Sequence, residues 1–411
     1  MGAYTDSAVL KRVLFLPCLL APVAFLDTPG FAQEQSFVGG QFDLDWQQFS
    51  FPVTTVGTPS DVQQRLSAFG TEARLSAGMP LSKQPDAFTF SWTGTWFDLS
   101  GHSSSTSAIT NNPFVISAGS PSSGNINLEA LTDESGAAAI SDVSFVDSAG
   151  APAAIYSSAF SPTGPNSVSQ YAVSPTALGA AFAAVVTNGS TPGAAAYGGY
   201  ADNNGLLFGG VNEADPGTIH SWRFVRVTGY TQSIWLSKPL NADDSFAIKI
   251  GATYLNSRER FGSGVTFDLN NGGAGTAVPP IGVAESGGFD TESGGPMLGL
   301  QARLRPQAPF FIETSATTGI SYFGAKSTTH HSFILPAVGS IDVPGGAQHD
   351  NGMMGLAGLD VSFVFPLKQQ IELRLLGGVH ASLWVPRPTL TGIDRTTSLR
   401  YNLGVSLAAR F

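Results

Sequence analysis

Histidine precedes serine by two positions in two places, His330-x-Ser332 and His380-x-Ser382. On an extended backbone, residues two apart share a face. An imidazole beside a hydroxyl can take its proton and make it a nucleophile for acyl transfer. A second set joins acids to imidazole: His349 with Asp350, and Asp43 with Asp45 near the other end of the chain, groups that can activate water. Asp202, Asn203 and Asn204 form an oxygen-rich triplet of the kind that suits calcium, but no complete calcium-loop motif surrounds it. What each set does depends on the elements that hold it.

Those elements alternate. The run Tyr401, Leu403, Val405, Leu407, Ala409, Phe411 is apolar, and Asn402, Gly404, Ser406, Ala408 and Arg410 lie between its members. The same period of two recurs in "FTFSWTGTW", "FAIKIGATY", "MLGLQARLR" and "IELRLLGGVHASLWV", the last with Val385 on the apolar face and Trp384 opposite. The spacing predicts strands over 37–49, 66–79, 87–98, 222–236, 245–256, 296–305, 309–323, 354–366, 371–385 and 397–411. At 10 to 15 residues each they reach the roughly 9 to 11 that a tilted strand needs to cross a bilayer. Short polar or Pro-bearing links such as "FPLKQQ" alternate with long connections, "NSRERFGSGVTFDLNNGGAGTAVPPIGVAESGGFDTESGG" and "KSTTHHSFILPAVGSIDVPGGAQHDNG", which read as loops. Tight turns at one rim and long loops at the other are the asymmetry of transmembrane barrels. In a soluble sandwich the face opposite the apolar one carries Lys and Glu freely. Here it is Gly, Ser and Thr with a few charges of both signs.

The predicted fold is thus all-β: a transmembrane antiparallel up-and-down barrel of about ten strands, or twelve if the stretch 101–220 hides another hairpin. Charged residues make up only 12% of the chain, with 20 Lys plus Arg against 30 Asp plus Glu, a balance that excludes a nucleic-acid partner. No segment after the N-terminal one has about 18 consecutive apolar residues, which excludes an inner-membrane helical protein. Near the N-terminus, Lys11 and Arg12 precede an apolar stretch broken by Pro17 and Pro22, and Gly30-Phe31-Ala32 follows. This reads as an export signal over 1–32 rather than a membrane anchor. The one cysteine, Cys18, lies inside it, so the mature chain offers no thiol chemistry.

The terminal run resembles the signature of Gram-negative outer-membrane β-barrel proteins, in which the last strand is recognised by the barrel-assembly machinery. Tyr401, Leu403, Val405, Leu407 and Phe411 match it. The stretch "GGPMLGLQARL" is similar to major outer-membrane, porin-like proteins, without singling out one family. The resemblance implies outer-membrane lipid and lipopolysaccharide as surroundings. The His-x-Ser pairs resemble those of outer-membrane phospholipases and lipid A deacylases. His349-Asp350 with Asp43 and Asp45 are similar in residue type to omptin-type surface proteases. By the strand phasing, however, His380 and Ser382 face the lumen, and no third group is identifiable in the sequence. Neither set reads as a catalytic centre, and no cofactor or metal is implied.

The lumen-facing charges read as structure. Glu72, Arg74, Lys249, Arg303, Glu313, Asp360, Glu372, Arg374, Arg400 and Arg410 all fall on polar strand faces. A barrel of about eight strands is already filled by side chains, so opposite charges in a ten-stranded one should pair and plug it. The chain divides into the signal (1–32), N-terminal barrel strands (33–100), an insert (101–220) and C-terminal barrel strands (221–411). The insert has no Lys or Arg but eight acids, so it holds −8 of the net −10 and leaves −2 for the rest. These features predict a barrel that anchors an acidic extracellular subdomain for surface structure, adhesion or an extracellular partner. A small-solute channel is the alternative, and lipid hydrolysis a minor one.

Overall fold

The computed structural model describes residues 36–51, 55–56, 64–82, 87–108, 113–119, 121, 123–147, 149–162, 166–188, 191–202, 204–213, 218–240, 245–268, 280–304, 310–336, 338–343, 346–368, 370–388 and 393–410. The export signal with Cys18, Asn203 and Phe411 lie outside the described residues. In chain order the N-terminal strands are β1 (Phe37–Phe51), β2 (Thr55–Val56), β3 (Gln64–Pro80) and β4 (Thr89–Ala108). The insert supplies β5 (Phe114–Gly119), β6 (Gly124–Asp133), β7 (Gly136–Val146), β8 (Pro152–Ser161), β9 (Asn166–Val173), β10 (Ala177–Asn188), β11 (Thr191–Asp202) and β12 (Gly205–Asn212). Then follow β13 (Thr218–Pro239), β14 (Phe246–Asp268), β15 (Ile281–Leu304), β16 (Phe311–Leu335), β17 (Gly339–Val343), β18 (Ala347–Lys368), β19 (Ile371–Pro388) and β20 (Ile393–Arg410).

Ten of these close into an antiparallel barrel in the order β1-β3-β4-β13-β14-β15-β16-β18-β19-β20, with β20 returning to β1. The short β17 hangs on β16 as a hairpin above it. The ten barrel strands correspond one to one with the ten predicted from alternation, and no insert strand joins them. Exposed apolar side chains form the outer belt, among them Phe42 and Leu44 on β1, Ile248 and Ile250 on β14, Leu298 and Leu300 on β15, and Leu403, Val405 and Leu407 on β20. Aromatic rings border it: Trp46 packs on Tyr401 with centroids 5.2 Å apart, and Tyr230 on Tyr254 at 6.0 Å.

Two expectations are corrected. First, the segments read as long loops after 256 and after 325 are largely strand: β14 runs on to Asp268, β15 starts at Ile281, and β16 reaches Leu335. Their alternation is inverted relative to the belt. Within the belt β14 turns its apolar residues outward, whereas beyond it Phe261, Val265 and Phe267 are buried inside. Water replaces lipid as the outer solvent, so the apolar face must turn inward. Second, β19 is not regular to its end. The register shifts between Ser382 and Val385, and Trp384 there has φ of 57° and is exposed. This bulge puts Val385 on the lumen wall rather than the lipid face.

The insert strands build two sheets. One runs β2-β5-β12-β11-β10-β9, the other β6-β7-β8. The Ala-rich strands β10 and β11 are buried on both faces. One face packs on β6–β8 through Ala183, Val185, Ala194, Ala196 and the facing Ala137, Ala139 and Ala159. Ser141 and Ser157 stitch that contact by donating to the carbonyls of Tyr197 and Ala181 at 2.7 and 3.1 Å. The opposite face, with Phe182, Tyr197 and Phe208, shares one core with Ile219 of β13, Val265 and Phe267 of β14, Ile281 and Val283 of β15, and Phe333 and Leu335 of β16. The insert is therefore a cap seated on the inner face of the barrel's projecting wall.

Candidate functional site

The candidate site is the lumen, which has three levels. Within the belt the inward positions of β1, β3 and β20 bring Asp43, Asp45, Glu72, Arg74 and Arg400 together, because Asp43 and Glu72 are direct cross-strand partners. Arg74 donates to Glu72 at 2.8 Å and lies 3.9 Å from Asp43. Arg400 bridges Asp45 and Glu72. A side chain at Gly404 would fall on the Asp43 carboxylate, so this β20 position must stay bare. Across the lumen Glu313 accepts from Arg303 at 3.2 Å and from Arg374 at 3.1 Å. Arg374 also donates to Glu372 at 3.0 Å, and Arg410 pairs with Glu372 at 2.9 Å. Asp360 meets His380 at 3.1 Å, in space that a side chain at Gly378 would occupy. Of the nine charges singled out from the polar faces other than Lys249, eight thus sit in ion pairs and Asp360 is hydrogen-bonded to the His380 imidazole. The Lys249 side chain lines the space above.

That space is a cavity of about 390 Å³, walled by twelve Ser and Thr side chains and by Lys249, Asp360, His380, Arg400 and Trp235. Above it Arg387 donates to Glu259 at 2.6 Å and to Ser398 at 3.2 Å, and both members of the ion pair are only 8% exposed. Burial pushes the Glu259 carboxyl upward, against the pull of Arg387. Next comes an apolar layer from seven strands that includes Leu66, Leu99, Val225, Phe261, Phe289, Phe323 and Met354. Above that layer, at the seam with the cap, Glu285 on β15 and His331 on β16 are direct cross-strand partners, 3% and 1% exposed. Among the described residues no hydrogen bond reaches either carboxylate oxygen or either ring nitrogen. Burial raises Glu285 to about 8. Burial lowers His331, which Asp202 opposes and His330 reinforces.

The sets proposed for chemistry separate. His380 is held by Asp360, and no hydrogen bond joins it to Ser382 among the described residues. His330 is exposed on the outer wall, where Ser332 donates to the Ala284 carbonyl at 3.4 Å. Asp350 accepts from Arg395, whereas Asp43 and Asp45 belong to the ion-pair network of the lumen. Asp202 accepts from the backbone of Asn204 and Gly205 at 2.8 and 3.1 Å and so caps the β11–β12 hairpin. Of the assembly signature, Tyr401, Leu403, Val405 and Leu407 all point outward and are exposed. Sequence reasoning missed Arg387, Glu259, Glu285 and His331. The bulge at Trp384 hid the first. The inverted alternation beyond the belt, had it been recognised, would have pointed to the other three.

A closed antiparallel barrel with an apolar, aromatic-edged belt outside and charges within is an outer-membrane β-barrel. No family model matches the chain, and no curated protein matches it. Among solved structures it is similar to the outer-membrane protease OmpT of Escherichia coli, at 8% identity over 94% of this chain and 99% of that one, with a TM-score of 0.35. It is also similar to the Pseudomonas putida toluene transporter TodX, at 10% identity over 93% and 91% with a TM-score of 0.25. A third is a Pseudomonas aeruginosa FadL homologue, at 11% identity over 92% and 91% with a TM-score of 0.24. Likenesses at these scores carry no argument about function.

Proposed function

We propose that this protein is a closed, non-catalytic barrel that reaches the outer membrane through the export signal read in 1–32 and displays its acidic cap at the cell surface for adhesion or partner binding. One observation carries the reading: a single apolar core runs from Phe182 and Phe208 of the cap into Phe267 and Phe333 of the barrel wall. A cap built this way fills the mouth instead of hinging over it, and the ion pairs and the apolar layer occupy the lumen beneath. The cap presents Glu129, Asp142, Leu131, Tyr156 and Phe160 to solvent on β6–β8, with no Lys or Arg anywhere between 101 and 220. That composition suits a cationic, partly apolar extracellular partner.

The cavity of about 390 Å³ favours the alternative of a small-solute channel. Planar-bilayer recording of the purified full-length protein separates the two. Absence of conductance steps agrees with the closed reading; steady ohmic steps overturn it. The surface role is tested by protease treatment of intact cells, with cleavage expected at connections within 101–220. A cap that stays intact on whole cells but is cut after lysis would contradict surface display.

A further inference from the structure

The smaller cap sheet, β6-β7-β8, lies over the larger one, β2-β5-β12-β11-β10-β9, and does not cover it evenly. β8 packs over β9 and β10, β7 over β10 and β11, and β6 over β11 and β12, which leaves β5 beyond the last upper strand. Leu128 of β6 reaches down to Gly209 of β12, where an added Cβ would stand 3.3 Å from its Cδ1. Gly209 is the direct cross-strand partner of Val115 on β5, so both positions face the upper sheet, and Val115 is 53% exposed. The larger sheet thus offers an apolar shelf one strand beyond β6.

Beside that shelf runs an open edge. The Val146 N–H donates to the Ser123 carbonyl at 3.1 Å, which fixes the phase of the β6–β7 ladder. By alternation, the backbone groups of Gly124, Ile126, Leu128, Ala130 and Thr132 point away from β7. Among the described residues no hydrogen bond from beyond β6 reaches those five. Sheet edges are ordinarily blunted by lysine, proline, a bulge or a covering element. β6, with the sequence GNINLEALTD, has neither lysine nor proline and pairs with β7 without a register shift. The other cap edges are shielded. β8 opens on Pro152, and Asn166 donates to its Phe160 carbonyl at 3.4 Å. Ser169 ties β9 to the Pro336 carbonyl of the barrel wall at 3.1 Å, and β2 is only two residues long. On the solvent side of the upper sheet Glu129 and Asp142 are exposed and have no ion pair among the described residues. The edge is therefore acidic as well as open.

We propose that an extended segment of a partner protein, in which apolar residues alternate with Lys or Arg, adds to β6 as a fourth strand of the upper sheet. Its backbone continues the ladder, its apolar side chains lie on Val115, and its cations face outward beside Glu129. A second copy of this chain suits the edge less well, because it would set acid against acid with no Lys or Arg between 101 and 220 to answer. The inference rests on the reading that the cap binds a partner, and supplies its mode of recognition. The test uses the full-length protein in detergent and a blocked ten-residue peptide of alternating valine and lysine, matched to the length of β6. Fluorescence anisotropy reads binding, and isotope-edited infrared spectra of peptide labelled at its carbonyls read strand pairing. The peptide should bind saturably and its carbonyl band should move to the β-sheet position. Val115→Lys should weaken binding about tenfold, as expected where a central contact is replaced by a repelling one. Ser158→Lys, the same charge change at an exposed site on β8, should weaken it less than about twofold. The same peptide methylated at every backbone nitrogen should not bind. No binding, equal weakening by the two variants, or equal binding of the methylated peptide would each overturn the proposal, as would a dimer of the protein that the peptide does not dissociate. If Val115→Lys does not fold, the methylated peptide decides. Because the purified protein is used, failure of surface display in the whole-cell proteolysis leaves this result standing, and failure of the peptide leaves display standing.

Discussion

Arg387 reaches Glu259 across the lumen because Trp384, three residues earlier, takes a left-handed backbone turn and shifts the register of β19 by one residue. Without that shift Arg387 would face outward. A buried ion pair made this way is costly to break from one side, because the remaining charge, only 8% exposed, loses its partner. Glu259→Gln should therefore destabilise by about 3–5 kcal/mol. Replacing both partners, with Glu259→Leu and Arg387→Met, should be nearly neutral. Urea titrations followed by heat-modifiable migration on gels would check both. Equal losses for the single and double variants would remove the pair from the account.

The seam pair sets a pH dependence. The pKa of Glu285 in the folded protein is raised to about 8, so its contribution is complete below the ordinary carboxylate value and is lost as pH climbs through about 8. The folded pKa of His331 is depressed, so its contribution is present above about 6.5 and is lost as pH falls through the lowered value. Hydrogen-exchange protection in β10–β12, taken relative to the base-catalysed intrinsic rate at each pH, should accordingly fall toward pH 9. Glu285→Gln should abolish that alkaline loss of protection and leave the acid side unchanged. A loss of protection of the same size in the variant would show that Glu285 is not its source.

The inverted alternation predicts opposite tolerances on one outer wall. Leu403 is 68% exposed in the belt. Leu403→Arg should destabilise by about 2–4 kcal/mol if it lies near the midplane. Ser104 is exposed on the same outer side of β4 but beyond the belt, and Ser104→Arg should stay within about 0.5 kcal/mol. Folding in lipid bilayers with urea as denaturant gives both numbers; similar costs would mean the belt is misplaced.

Phe267 and Phe333 are fully buried where barrel and cap meet. Phe333→Ala should cost about 3–5 kcal/mol, borne by the cap's attachment rather than by the barrel's strand pairing. Limited proteolysis should then release fragments of 101–220 while the barrel remains heat-modifiable. Loss of both together would make barrel and cap one cooperative unit.

How much of this was legible before the fold was known depended on the solvent outside each strand. Leu403, Leu300 and Ile250 announce themselves because lipid demands an unbroken apolar face, and ten such faces gave the barrel and its strand count. Glu72, Arg74 and Glu313 were legible for the same reason, as charges on the opposite face. Phe261, Val265 and Phe333 follow the same period of two in the opposite sense, and mixed with Ser, Gly and Thr they read as loop. The bulge at Trp384 left no mark in residue type, since nothing about a tryptophan foretells a positive φ. The run "ALGAAFAAVV" carries no alternation because its sheet is covered on both sides, by the barrel wall and by β6–β8.

The pairing of Ala108 with Thr218 makes β4 and β13 an ordinary hairpin whose turn has been replaced by positions 109–217. Closing a flexible loop of that length instead of a four-residue turn costs roughly 3 kcal/mol more in chain entropy. A cap that folds first removes most of that cost, since its own sheets bring the two ends to neighbouring-strand distance before the barrel strands meet. A cap that folds first thus serves as a preformed turn, and the hairpin it carries can zip from the cap toward the tight-turn rim.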